Sequence, residues 1–331
     1  MALAVFAALM FFITLGFGVY DISISDAIGV FFGHLAGDEV DPDDDFYIWD
    51  TRVPRAVCAI VTGAALSVAG AIMQNDFRNP LAEPYTMGLS SGAFLGAVIS
   101  IVSGISVIPG LTGSSVTMVN AFVFSLIPTA VIATITAFRK LTPTAMILVG
   151  IAVMFMFNSI CQMILVTAPS ESLADAYSWR VGDLGRANSG DIPMMAGASA
   201  VIIAILWMMS SKLNVMYAGD RGAHGLGEDA RRIRVTTLVL VSFLTASVVC
   251  FTGTIGFIGL VGPHIARIFV GSDNRYLIPA SAAFGAAFLL FADTIAKISG
   301  PNGLPVGVVS ALFGAPLFIW ILVRQRRSAW A

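Results

Sequence analysis

Gln74-Asn75-Asp76-Phe77-Arg78-Asn79-Pro80-Leu81-Ala82-Glu83-Pro84 closes an apolar run over 53–74 that opens with Arg52-Val53-Pro54-Arg55. The chain then re-enters apolar sequence through Gly88-Leu89-Ser90-Ser91-Gly92-Ala93-Phe94-Leu95-Gly96. Two apolar segments joined by a short polar turn that two prolines stiffen have the form of a helical hairpin across a lipid bilayer. About 20 mostly apolar residues suit the ~30 Å hydrocarbon core, where only backbone satisfied within the protein survives. Gly63, Ser67, Gly70 and the Gly92–Gly96 pair place small residues on helix faces. Such positions let backbones approach closely where lipid supplies no hydrophobic drive between helices.

Outward from this hairpin the pattern recurs along the whole chain. Ten segments are apolar enough to span: 2–20, 53–74, 86–107, 116–138, 143–167, 192–210, 235–253, 256–270, 277–298 and 305–323. The eighth is short and carries Pro263 and His264. The first has no basic flank before it and no small-residue cleavage site, so it is read as a retained helix. Hydrophobic residues are 57% of the 331 and charged residues 11%, against about 25% charged in a soluble domain. That leaves too little polar surface for a water-soluble globule. The fold class is therefore all-α integral membrane, one polytopic domain over 1–331 with an outer loop at 21–50 and a cytoplasmic loop at 211–234. Cys58, Cys161 and Cys250 each lie inside an apolar run, with neither metal-ligand spacing nor a disulfide pattern, and are read as packing residues.

The net charge of -2 hides an asymmetry. With the amino terminus inside, thirteen of the 18 Lys and Arg fall on the cytoplasmic side, as the positive-inside rule demands. Arg52, Arg55, Arg180, Arg186 and Lys297 remain outside. An even number of spans puts both termini in the cytoplasm, and the basic tail Arg324-Gln325-Arg326-Arg327 agrees. Nothing in this distribution points to nucleic acid. The acidic run Glu39, Asp41, Asp43, Asp44 and Asp45, after an amphipathic stretch at 22–35, reads as a solvated loop.

Further stretches follow in order: Leu213-Asn214-Val215 with Gly225-Leu226-Gly227, then Gly253-Thr254-Ile255-Gly256-Phe257-Ile258-Gly259-Leu260-Val261-Gly262-Pro263-His264-Ile265-Ala266-Arg267. Ala292-Asp293, Leu304-Pro305-Val306-Gly307-Val308-Val309 and Gly314-Ala315-Pro316-Leu317-Phe318-Ile319-Trp320 complete the set. With the hairpin, and over nearly the whole chain, these resemble the permease family of type II ATP-binding-cassette importers (FecCD-type), which carry iron-siderophores, haem and vitamin B12. The resemblance implies a two-fold dimer with a second copy or a close paralogue, embedded in membrane lipid. Two ATPase subunits would sit beneath it and an extracytoplasmic substrate-binding protein above. ATP and magnesium would belong to the ATPase. This chain would bind no cofactor or metal and carry no catalytic residue. Asn79, Leu81, Thr142 and Thr144 would form the inner gate, although Pro143 stands where the family usually has a small polar residue. Ala223, Gly225, Leu226, Gly227 and Arg231 would couple to the ATPase, with the extra glycine of His224-Gly225 expected to loosen the second short helix of that loop. Arg52, Arg55 and Lys297 would dock the binding protein. Asp293, four residues before Lys297, would be costly in hydrocarbon if unpaired and is expected to pair with it.

Two other classes compete. Gly88-Leu89-Ser90-Ser91-Gly92 matches Gly-x-Ser-x-Gly, and His264 lies in another span, which would suit an intramembrane serine protease. That elbow needs a strand-turn-helix context, whereas here it opens a membrane helix. A secondary transporter needs ionisable groups or broken helices at mid-depth, and only Asp293 lies clearly inside a span. No Gly-x-x-x-x-Gly-Lys-Ser/Thr loop occurs in the sequence, so ATP hydrolysis falls to a separate subunit. Met154, Met156, Asn158 and Gln162 on the fifth span are candidates for either the path or the core. The motifs are common to members with different cargo, among which iron-siderophore is the first choice.

Overall fold

Each of the ten apolar segments falls on a helix in the computed structural model, which describes residues 2–18, 20–139, 141–300 and 303–324. Among these residues the chain forms fifteen α-helices and no strand. In chain order they are α1 (Ala2–Leu15), α2 (Ile24–Ala36), α3 (Pro42–Asp45), α4 (Val53–Phe77), α5 (Leu89–Ser103), α6 (Ser114–Phe138), α7 (Pro143–Val166) and α8 (Ser170–Val181). They continue as α9 (Ile192–Met208), α10 (Ser210–Val215), α11 (Gly219–Gly225), α12 (Ala230–Thr252), α13 (Ile258–Val270), α14 (Asn274–Ile298) and α15 (Val306–Arg324). Lys140 and the tail Gln325-Arg326-Arg327, both part of the charge reading, lie outside the described residues.

The acidic run is only partly a loop: Asp43, Asp44 and Asp45 lie in α3, with Asp41 as its N-cap and Glu39 before it. Asp41 accepts hydrogen bonds from the backbone N–H of Asp43 (3.0 Å) and Asp44 (3.3 Å), with Pro42 in the first turn behind it. Carboxylates at a helix start meet the positive end of the helix dipole. From there a π-helical turn over Phe46–Arg52 leads into α4, giving a helix over Pro42–Phe77.

α4 is the hub. Its apolar window is 78% buried within the chain, against 33% for α6 and 28% for α7. The small residues explain the contacts: a Cβ on Gly63 would lie 2.3 Å from the Gly285 carbonyl oxygen of α14, and one on Gly70 would lie 1.9 Å from that of Gly259 on α13. Neither backbone could come so close to a larger residue.

Besides α1, which has 14 residues, two more of the apolar segments are carried by short helices. α5 has 15 residues and α13 has 13, about 20 Å each, short of the hydrocarbon core. Each is completed by non-helical chain. The lead-in to α5 passes through extended Glu83 (φ -147°, ψ 164°) and a 3-10 turn at Pro84–Met87. The lead-in to α13 runs from Gly253 to Phe257, which caps the helix in the left-handed region at φ 68°. The two lead-ins are tied together, because the Ile255 N–H donates to the Tyr85 hydroxyl at 3.1 Å. Irregular backbone is tolerated at such depth only where protein or a cavity surrounds it. α8, which was not foreseen as a helix, covers the second lead-in: the Asp183 N–H donates to the Thr252 carbonyl at 2.8 Å, and Gly182 packs on the Thr254 carbonyl.

Candidate functional site

At the start of α4, Arg55 in its first turn donates through Nε to Asp293 Oδ1 (2.8 Å), and its Nη2 lies 3.4 Å from Asp183 Oδ1. Asp293 is fully buried and also holds Lys297 Nζ at 3.0 Å, the expected i,i+4 pair. Lys297 Nζ donates further to Thr14 Oγ1 at 3.3 Å. The cluster borders an open cavity of about 240 Å³ that Gly18, Gly303, Leu304 and Pro305 complete. Arg52 points elsewhere. It is 4% exposed and donates to the Leu15 carbonyl (2.6 Å) and the Tyr20 carbonyl, fastening the end of α1. The Lys297 side chain is 9% exposed and that of Arg55 24%. Of the three basic residues singled out for docking, Arg55 therefore presents the most surface. Asp183 is the member of the cluster that sequence reasoning missed.

α4 ends at Arg78, whose left-handed backbone (φ 46°) turns the chain. The N–H groups of Arg78 and Asn79 donate back to the Asn75 and Gln74 carbonyls, both at 3.2 Å. The Asn79 side chain then accepts from the Leu81 N–H at 2.9 Å, which fixes the turn and leaves the Leu81 side chain exposed. The other turn is a helix cap: Thr142 Oγ1 accepts from the Ala145 N–H at 3.2 Å, and Pro143 occupies the first helical position of α7, where no donor is needed. Thr144 is exposed. No hydrogen bond joins the two turns among the described residues. Their helices meet instead where a Cβ on Gly150 of α7 would lie 2.8 Å from Met87 Cα.

The 211–234 segment is a continuation of α9. The chain bends by 55° between α9 and the α10–α11 unit, then turns at Gly227 (φ 82°) into α12, whose N-cap Asp229 accepts from the N–H groups of Arg231 and Arg232. Met216, Ala223, Ala230 and Ile233 form a small core of its own. Ala223 is thus structural, and Gly225 has open space around it. Leu226 remains on the surface at 65% exposure. Arg231 is drawn away from that surface, donating to the Thr136 and Ala137 carbonyls at the end of α6. The base of the segment is anchored through Asn75 Nδ2 to the Leu213 carbonyl (2.9 Å) and Asn214 Nδ2 to Asp273 Oδ1 (2.7 Å). Hydrogen bonds from Arg275 and then Asn214 hold the Asp273 carboxyl well below the usual carboxylate range.

The model of the FecCD transport family matches residues 6–324. The chain is 37% identical to the hemin transport system permease protein of Yersinia pestis over 86% of each chain. It is 35% identical to an Fe(3+)-citrate import system permease protein of Bacillus subtilis over 98% of this chain and 95% of that one. With the cobalamin import system permease protein of Halobacterium salinarum it is 37% identical over 82% of this chain and 72% of that one. A solved structure of an inward-facing conformation of a metal-chelate type ABC transporter superposes with a TM-score of 0.86 at 25% identity, covering 98% of both chains.

Proposed function

The chain belongs to the FecCD transport family, and from that premise we propose that two copies of this permease enclose the path by which an iron-siderophore, or a haem- or vitamin B12-type chelate, is imported. Relatives named for hemin, cobalamin and Fe(3+)-citrate transport support this cargo class. The observation that carries the reading is the bent α9–α11 segment: it offers exposed Leu226 to a partner and is bonded at its base to the end of α4, where the gate turn begins. A separate ATPase dimer, holding ATP and magnesium, seats under Leu226 and Gly227, and both termini lie on that side.

Proteoliposomes containing the permease, its ATPase and a binding protein are expected to accumulate ferric siderophore only with ATP. Uptake driven by an ion gradient without the ATPase would establish the secondary transporter instead. The protease reading loses its geometry: Ser90, which would be the nucleophile, follows a 3-10 turn at Pro84–Met87 rather than a strand.

Asn79 and Leu81, with Thr142 and Thr144, form the inner gate. Cysteines at 79 and 81, in a background lacking Cys58, Cys161 and Cys250, are expected to change reactivity toward cytoplasmic thiol reagents when ATP binds. Constant reactivity through the cycle would reduce both turns to helix caps.

Docking of the binding protein rests on Arg55 and Lys297, with Arg52 holding α1 against them. Arg55→Glu is expected to weaken association by about tenfold or more at low salt, because it sets like charges against the acidic partner. Lys297→Glu should do less, since the lysine side chain presents less surface, 9% exposed against 24% for Arg55. Arg52→Glu should lower the melting temperature more than the affinity. Titrations on nanodisc-embedded permease at two ionic strengths check the order, because exposed charge pairs are screened by salt.

A further inference from the structure

The end of α4 carries a buried carboxylate that neither the gate turn nor the ATPase contact explains. Asp76 is 1% exposed. Its Oδ2 accepts from Thr237 Oγ1, and its Oδ1 is buried without a hydrogen-bond donor. Its backbone carbonyl accepts from Arg234 Nε at 3.0 Å. The same guanidinium turns its other nitrogens to Asp220 in α11, with Nη2 at 2.8 Å from Oδ1 and Nη1 at 3.4 Å from Oδ2. Arg78 approaches Asp220 from the other side at 4.0 Å.

Arg234 is only 3% exposed. Taking a charge out of water is costly, and apolar side chains of similar volume often stabilise such positions as well or better. A buried guanidinium is therefore better explained by what it connects than by stability. One planar fork links two elements that move relative to each other in the proposed cycle, and its fixed donor geometry transmits displacement as a flexible ammonium would not. On one side is Asp220, in the short helix α11 that Leu226 caps. On the other is Asp76, two residues before the left-handed Arg78 that starts the gate turn.

We propose that Arg234 is a positioning residue that carries motion of α11 into the gate, with Asp220 as its input and the Asp76 carbonyl as its output. This rests on the reading of 211–234 as the ATPase contact. When α11 is displaced, Asp220 draws the guanidinium, and the Nε bond moves the end of α4 and the Asn79–Pro84 turn with it.

Arg234→Lys separates this from a static ion pair. A lysine ammonium keeps the charge beside Asp220 but offers one nitrogen where Arg234 uses three, so it cannot hold Asp220 in a fork while a separate fixed donor bonds the Asp76 carbonyl. Asp220→Ala breaks the input alone; because it also strands the buried Arg234 charge, its melting midpoint in nanodiscs is measured beside its transport. In proteoliposomes with ATPase and binding protein, both variants are expected to lower cargo transported per ATP hydrolysed by about tenfold, within the range of measured couplings between sites. The ATPase should still co-purify and hydrolyse ATP, and a cysteine at Leu81 should no longer change reactivity on ATP binding. Transport per ATP within about twofold of wild type in Arg234→Lys, with the cysteine response intact, would show a static pair and overturn the proposal. The underlying contact has its own test: if Leu226→Glu leaves transport unchanged, the ATPase reading fails, whatever the Arg234 variants do.

Discussion

Asp293→Ala is expected to destabilise the permease by about 3–5 kcal/mol, the scale seen when one partner of a buried ion pair is removed. Asp293 is fully buried and joins two cations from different elements, Arg55 of α4 and Lys297 of its own helix. Its loss would leave Lys297 with only the Thr14 hydroxyl and Arg55 with only Asp183 at 3.4 Å. Neither contact replaces a buried carboxylate, and the α4–α14 interface on which they converge is the same one that Gly63 and Gly285 bring together. Asp293→Leu combined with Lys297→Met should recover part of the loss, because it removes one of the two stranded charges and restores apolar volume, while Arg55 keeps its contact with Asp183. Thermal melting in nanodiscs checks both variants. A midpoint for Asp293→Ala equal to wild type would mean that water reaches Arg55 and Lys297 readily and that the cluster is not dry.

The apolar helices were legible because hydropathy reports the length of an apolar run directly: all ten runs fall on helices, of which, among the described residues, six are long and apolar enough to cross a membrane, or seven if the bent α9–α11 pair is one span. It does not report breaks within a run. The lead-in to α5 read as a polar hairpin turn and that to α13 is nearly as apolar as its helix, so 86–107 looked like an ordinary span and 256–270 only like a short one. The breaks were marked only by Pro80, Pro84, Gly253 and Gly256. Asp41-Pro42 is a helix-start signature, but the density of charge around it favoured a loop. Arg52 and Arg55, grouped for docking with Lys297, stand three residues apart, a spacing that gives one face only on a regular helix. The π turn that ends at Arg52 shifts that phase, and the two side chains diverge, one to the Leu15 carbonyl and the other to Asp293. Residues that act across long separations, such as Asp76 with Thr237 or Asp220 with Arg234, carry no local signature.

Leu226→Glu is expected to abolish ATP-driven uptake while leaving the permease folded. The side chain is 65% exposed at the end of α11, but its backbone is fixed, because the Leu226 N–H donates to the Gly222 and Ala223 carbonyls at 3.1 Å and the left-handed Gly227 follows. Below it the core of Met216, Ala223, Ala230 and Ile233 holds the unit without using Leu226, so the substitution removes a surface contact and little internal packing. A carboxylate forced into the groove that accepts the leucine would be buried unpaired, which costs more than loss of the apolar contact alone. An effect of about 2 kcal/mol or more is usual for a central anchor residue, enough to cut ATPase association roughly thirtyfold. Leu226→Met, which keeps volume and apolarity, should transport near the wild-type rate. Arg231→Ala should retain the ATPase, because its guanidinium serves the α6–α12 junction instead. The measurements are ATP-driven uptake in proteoliposomes and co-purification of the ATPase. Wild-type uptake by Leu226→Glu would place the ATPase contact elsewhere on the cytoplasmic surface.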